Sequence, residues 1–109
     1  MKKFFNDAII KTKEFIEGND LIDSSIFVKT NLLKTVTFVK DMHQFDKLLN
    51  IKFCDNKLIY LLYSSENDEE INIITKVFDK KVHSLATLFD NAVDLELNIY
   101  KNYGISFLN

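Results

Sequence analysis

The sequence predicts an α+β fold, an antiparallel sheet of three to four strands laid out as a meander with helices packed on it, in the order α-β-α-β-β-β-α. Two observations carry the prediction. Apolar residues recur at helical spacing near the N-terminus, in the 30s and in the 90s. Between these segments, from Leu48 to Phe78, the spacing changes to the period of two that belongs to strands.

Phe4, Phe5, Ala8, Ile9, Phe15 and Ile16 place one apolar stripe on a helix over Lys3 to Glu17, which Gly18-Asn19-Asp20 would terminate. Such a stripe serves core packing, and its run of aromatics also suits docking elsewhere. Ser25 to Lys29 reads as a short strand. Thr30 or Asn31 can cap a helix running to about Met42, with Leu32, Leu33, Val36 and Val39 inward. Leu49, Ile51 and Phe53 alternate with Asn50 and Lys52, giving a strand with one solvated face. Asp55-Asn56 supplies a two-residue turn that tolerates positive φ and closes a hairpin onto Leu58–Tyr63. That second strand is apolar on both faces, which places it centrally, with one cover that a partner could supply. Ser64 to Glu70 is a polar, acidic loop, and a third strand follows from Ile71 to about Phe78. No linker or repeat interrupts the chain, so residues 1–109 are expected to form a single domain.

Composition excludes several function classes. With 109 residues and 47% hydrophobic content the chain can bury a core without staples. One cysteine, Cys54, rules out an internal disulfide, an iron-sulfur cluster or a cysteine-based zinc site built by this chain alone. Its strand context suggests a buried filler. All 14 basic residues are lysine, and lysine offers a point charge rather than the bidentate fork that reads phosphate or guanine. With a net charge of -2 and no basic cluster, nucleic-acid binding is not expected. Charges interrupt every apolar run well short of the ~20 residues of a membrane span, so a cytoplasmic protein is expected, able to sit at a membrane through a partner.

Residues that resemble chemical sites have plainer readings. His43 and His83 have no ligand at metal spacing, and no nucleophile elbow accompanies His83-Ser84, so His83 is read as a loop residue and Ser84 as a turn residue. The run Glu66-Asn-Asp-Glu-Glu70 lacks the ligand spacing of a calcium loop and reads as a solvated hairpin loop. With Gly18 and Gly104 the only glycines, no phosphate cradle can be built. Neither a catalytic constellation nor a cofactor or metal site is expected.

The C-terminal segment is the most informative. Asp90 is a candidate N-cap, Asn91 to Tyr103 contains no glycine or proline, and Gly104 stands at the C′ position that ends a helix. At about 100° per residue, Ala92, Val93, Leu95, Glu96, Leu97, Ile99, Tyr100 and Tyr103 share an arc of roughly 200°. That arc exceeds what one core contact needs, so a second surface is expected. Glu96 lies inside it, where a carboxylate requires a partner. With no arginine in the chain, a lysine, a hydroxyl or a backbone amide of the same domain is one possibility and a group from another chain is the other.

These residues carry a family resemblance. Ser84, Phe89, Ala92, Leu95, Glu96, Tyr103, Gly104, Ile105 and Phe107 stand where the C-subunit family of NADH-quinone oxidoreductase (respiratory complex I), and the related small subunit of energy-converting membrane-bound [NiFe] hydrogenases, carry their C-terminal signature. The chain resembles a divergent member. Leu97 replaces the family's arginine, Asn98 its second glutamate, Lys101 its aspartate, and His83 the proline before the serine. The resemblance implies a cofactor-free structural subunit of an electron-transfer complex that docks on the large catalytic subunit, with Glu96, Tyr100, Tyr103, Gly104 and Phe107 as the interface and signature positions. On that reading Glu96→Ala weakens assembly more than it unfolds the domain. The alternative is a free-standing binding module, such as a homodimer, to which the departures and the ending at Asn109 point.

Overall fold

Two asparagine-bearing devices, a turn and a bulge, set the register of the sheet. A computed structural model describes residues 20–22, 25–28 and 31–108. The Lys3 to Glu17 helix and its Gly18-Asn19 terminator lie outside them. The elements are β1 (Asp20–Ile22), β2 (Ser25–Val28), α1 (Leu32–His43), β3 (Lys47–Cys54), β4 (Lys57–Ser64), β5 (Glu69–Lys76), β6 (Lys81–His83), α2 (Ala92–Tyr103) and β7 (Ser106–Leu108). Asp55 and Asn56 both adopt positive φ, 51° and 60°, as the tight primed turn between β3 and β4 requires. The Asn56 amide also donates to the Val77 carbonyl at 3.1 Å, tying the turn to the chain leaving β5.

The bulge lies in β3, where Leu48 pairs with Leu62 but Asn50 pairs with Leu61. Leu49 is the extra residue and is exposed, so Leu48 and Ile51, three apart, both point into the core. The expected alternation of Leu49 with Ile51 is broken by that inserted residue. The Asn50 side chain accepts the Ile51 amide at 2.9 Å, and the Asn91 amide donates to the Leu48 carbonyl at 2.7 Å. Two side chains thus engage backbone groups at the bulge.

The α+β class is as expected, and β3-β4-β5 is the antiparallel meander. The sheet as a whole is mixed, because β2 joins β5 in parallel, and it has five strands in the order β1-β2-β5-β4-β3. α1 is the reason: it carries the chain from the end of β2 to the far edge, and the meander returns to place β5 beside β2. β6 and β7 form a separate parallel pair that no periodicity in the sequence predicts.

One face of the sheet holds the core. Leu58, Tyr60 and Leu62 of β4, Ile71 and Ile73 of β5, Ile26 and Val28 of β2, and Leu48 and Ile51 of β3 are buried there with Val36 and Val39 of α1 and Ile99 of α2. The opposite face of β4 carries Ile59, Leu61 and Tyr63, which are half-buried, so β4 is interior in the sheet but fully covered on one side only. Cys54 corrects the expectation of a buried thiol. It pairs with Lys57 beside the turn, on the face away from the core, and is exposed.

Tyr60 lies wholly inside, and its hydroxyl has no hydrogen-bond partner among the described residues. Burial, with the nearby Glu96 charge as a lesser cause, pushes its pKa upward. The unfolded phenol ionises near pH 10 while the folded one stays protonated, so this group makes stability fall as pH rises above about 10, by about 1.4 kcal/mol per unit. Tyr60→Phe is expected to raise stability by about 1 kcal/mol at neutral pH by removing an unpaired polar group, and to flatten the alkaline loss. Urea unfolding between neutral and alkaline pH checks both.

Candidate interaction surface around Glu96

The C-terminal quarter is a β-α-β crossover. β6 leads through a turn to α2, and β7 returns parallel to β6 with Val82 opposite Phe107. A parallel pair needs such a connection, and α2 supplies it. Gly104 ends α2 in the left-handed region, φ 72°, donating its amide to the Tyr100 carbonyl at 2.8 Å. Ile105 then turns into the core.

Glu96 has its partners within the chain. One carboxylate oxygen accepts the Ser84 hydroxyl at 2.7 Å, and the other accepts the Leu85 amide at 2.8 Å. The Ser84 oxygen in turn accepts the Ala86 amide at 3.1 Å, and the Ser84 amide donates to the Leu108 carbonyl at 2.7 Å. Both Glu96 and Ser84 are buried. This network joins the turn after β6, the middle of α2 and the end of β7, so the carboxylate is balanced by an amide and a hydroxyl rather than by a lysine. Ser84, whose sequence context suggests only a turn residue, is its hub. Its place in the motif, twelve residues before Glu96, is the signal that the two belong together.

The wide apolar arc of α2 divides into two surfaces. Ala92, Glu96 and Ile99 are buried against the core, while Val93, Leu97 and Tyr100 are 56%, 46% and 53% exposed. Those three lie at i, i+4 and i+7, one continuous stripe. Beside it runs a shallow groove of about 450 Å³ whose walls include Ser84, Ala86, Glu96, Leu97, Tyr100 and Phe107. Of the expected positions, Tyr100 and Phe107 therefore meet at the groove and Glu96 forms its inner wall. Tyr103 stands elsewhere, its ring 4.9 Å from Phe53 of β3, and Gly104 shapes the exit. Val93 and Leu97 are additions to the expected positions, and the width of the arc is the sequence signal that points to them.

The helix start differs from expectation. The residue before α2 is Asn91, in right-handed conformation without a side-chain cap, because its amide is engaged with Leu48. Asn91→Ala is expected to lose about 1–2 kcal/mol through the abandoned Leu48 carbonyl, measurable by thermal unfolding. His83 is the last residue of β6 rather than a loop residue, with Nδ1 2.9 Å from the Ser84 carbonyl oxygen.

Among the described residues no group of three or more His, Cys, Asp or Glu could hold a metal ion, and no helix is long and apolar enough to cross a membrane. The acidic loop is organised by its own contacts. Tyr63 donates to Asp68 at 2.8 Å, and the Ser65 hydroxyl and amide both donate to Asp46, holding that carboxyl below its ordinary pKa. What the Glu96 region offers is shape: an exposed apolar stripe and a groove held rigid by a buried network.

Comparison with known proteins agrees with this architecture. A solved structure described as Nqo5 of the trypsin-resistant fragment (1-134) in P63 form superposes with a TM-score of 0.78, covering 95% of this chain and 95% of that one. The two are 16% identical, so the likeness is one of fold. A search of curated proteins finds no match. The model of the family described as respiratory-chain NADH dehydrogenase, 30 Kd subunit, matches residues 26–109, from β2 through the whole Glu96 region. The chain belongs to that respiratory-chain NADH dehydrogenase 30 Kd subunit family.

Proposed function

We propose that this protein is a non-catalytic structural subunit of a complex I-like or membrane-bound hydrogenase assembly, one domain over residues 1–109, docking on the large catalytic subunit at the cytoplasmic side of a membrane. The observation that carries the reading is the exposed stripe Val93-Leu97-Tyr100 beside Phe107, on the element that bears the family signature. Apolar residues standing out from a helix already packed on its own core suit burial against a partner.

The pattern of departures supports the same surface. Ser84, Phe89, Ala92, Glu96 and Ile105, which match the family, are buried. Leu97, Asn98, Lys101 and His83, which depart from it, are exposed. Leu95 and Phe107, which also match, are half-buried, and Tyr103 and Gly104 match on the surface; changes confined to exposed positions are what a divergent member fitted to a divergent partner would have. The function is positional: the Glu96 network holds α2, and α2 presents Leu97 and Tyr100.

Co-expression with the large catalytic subunit of a complex I-like or membrane-bound hydrogenase assembly, followed by size measurement, tests the proposal. A stable complex with that subunit is expected. A self-associated species that ignores the large subunit would favour the free-standing homodimeric module instead.

A further inference from the structure

The groove beside α2 has one charged wall. Among the described residues that line it, Glu96 is the one charged side chain, while Ser84, Leu97, Tyr100, Ser106 and Phe107 supply hydroxyls and apolar surface. The hydrogen bonds of Glu96 stay within the chain, but its partners are a hydroxyl and an amide, which bring no countercharge. A carboxylate offers about four acceptor positions, and these bonds use two of them. An interface that closes over such a group excludes water and strengthens its attraction for a cation.

The charges nearby do not cancel it. Asp94 and Lys101 are exposed on α2 beyond Leu97 and are opposite in sign. Lys81 pairs with Ser106 in the β6–β7 register, yet it lines a separate cavity against α1. The other walls of the groove narrow the choice of cation. Tyr100 and Phe107 both line it, and aromatic surface takes a planar, weakly hydrated guanidinium better than the compact, strongly hydrated ammonium of lysine. The Ser106 hydroxyl adds an acceptor for a guanidinium N–H. This chain contains no arginine, so a second copy of itself cannot supply the group.

We propose that the groove is a socket for an arginine side chain of the partner subunit, with its guanidinium against Tyr100 and Phe107 and within the field of the Glu96 carboxylate. The socket rests on docking through the α2 surface and names the chemistry of the anchor. Val93 and Leu97 receive the apolar residues that flank the arginine, and the Ser84 and Leu85 donors stay on Glu96. The buried charge thus does two things: it ties α2 to the turn after β6, and it selects a cationic anchor from outside.

The test uses the full chain and short blocked peptides, Ala-Leu-X-Leu-Ala, in which X is arginine, citrulline or lysine. Citrulline keeps the shape of arginine without its charge. The arginine peptide is expected to shift the amide resonances of Leu97, Tyr100 and Phe107 and to bind about tenfold more tightly than either of the others. Glu96→Gln, which keeps an oxygen for the Leu85 amide and loses the charge, is expected to erase the preference for arginine over citrulline and to weaken association with the large subunit about tenfold. Tyr100→Leu leaves the Glu96 network untouched and is expected to lower the preference for arginine over lysine. Equal binding of the arginine and citrulline peptides to the parent chain, binding of none, a preference that survives Glu96→Gln, or shifts away from the groove would each overturn the proposal. If Leu97→Asp/Tyr100→Asp abolishes association with the large subunit while no arginine preference is found, docking through α2 stands and the socket alone fails. An arginine preference in a chain whose double variant still assembles normally would support the socket and remove the docking role.

Discussion

Glu96→Ala is expected to lower the unfolding free energy by about 3–5 kcal/mol, because it abandons two buried donors that now share one carboxylate. The Ser84 hydroxyl and the Leu85 amide each lose a charge-assisted bond, and the turn after β6 loses its attachment to α2. Glu96→Gln is the milder change. Its oxygen can still accept the Leu85 amide, and the Ser84 hydroxyl can rotate to accept from the new amide, so a loss of about 1 kcal/mol is expected. Ser84→Ala falls between, at about 1–2 kcal/mol, since the Ala86 amide also loses its acceptor. Urea unfolding of the three variants and a Ser84/Glu96 double-mutant cycle check the ordering. A stable Glu96→Ala protein that fails only in assembly would return Glu96 to the role of a direct contact.

The second large effect is expected on binding alone. Leu97→Asp combined with Tyr100→Asp should weaken association with the large subunit about 100-fold, since charge on a desolvated apolar contact costs several kcal/mol at an interface centre. Stability should change by about 0.5 kcal/mol or less, because both side chains are about half exposed in the isolated chain. Asn98→Asp, one residue from Leu97 but off the stripe, is the control and should leave binding close to the parent's. Titration calorimetry measures the affinities. An unaffected double variant would move the contact away from α2.

The pairing of these predictions reflects a division of labour within one motif. Glu96 and Leu97 are neighbours in sequence and point to different sides of α2, one into the network and the other into solvent. The same helix therefore completes the core and presents a surface, which is why its apolar arc is twice as wide as a single contact requires.

Much of the fold is legible in the sequence, and the reasons are local. Asp55-Asn56 announces its turn because few residue pairs accept positive φ at two successive positions. Gly104 announces the end of α2 for the same reason. β4 is legible as a central strand because it is apolar at every position from Leu58 to Tyr63, but which of its faces meets the core is decided only by packing. β3 misleads because a bulge leaves no mark on composition: Leu48 and Leu49 are identical, and only pairing with β4 decides which is the extra one. Cys54 misleads because an apolar strand looks alike on both faces until a second element covers one of them. β6 and β7 are hidden because three-residue strands show no period, and their pairing depends on a helix twelve residues long lying between them.

The class of fold, the hairpin, the end of α2, the family resemblance and the demand of Glu96 for a partner are all written in the linear chain. They follow from backbone preferences and periodicities that act within a few residues. The identity of that partner, the parallel pairing of β2 with β5, and the half of the α2 arc that stays open emerge only when the chain has folded. Each depends on groups brought together from distant parts of the sequence: Ser84 with Glu96, Ile26 with Ile73, Val82 with Phe107. The carboxylate that could have reached for another chain is satisfied at home, and it is the leucine beside it that is left facing outward.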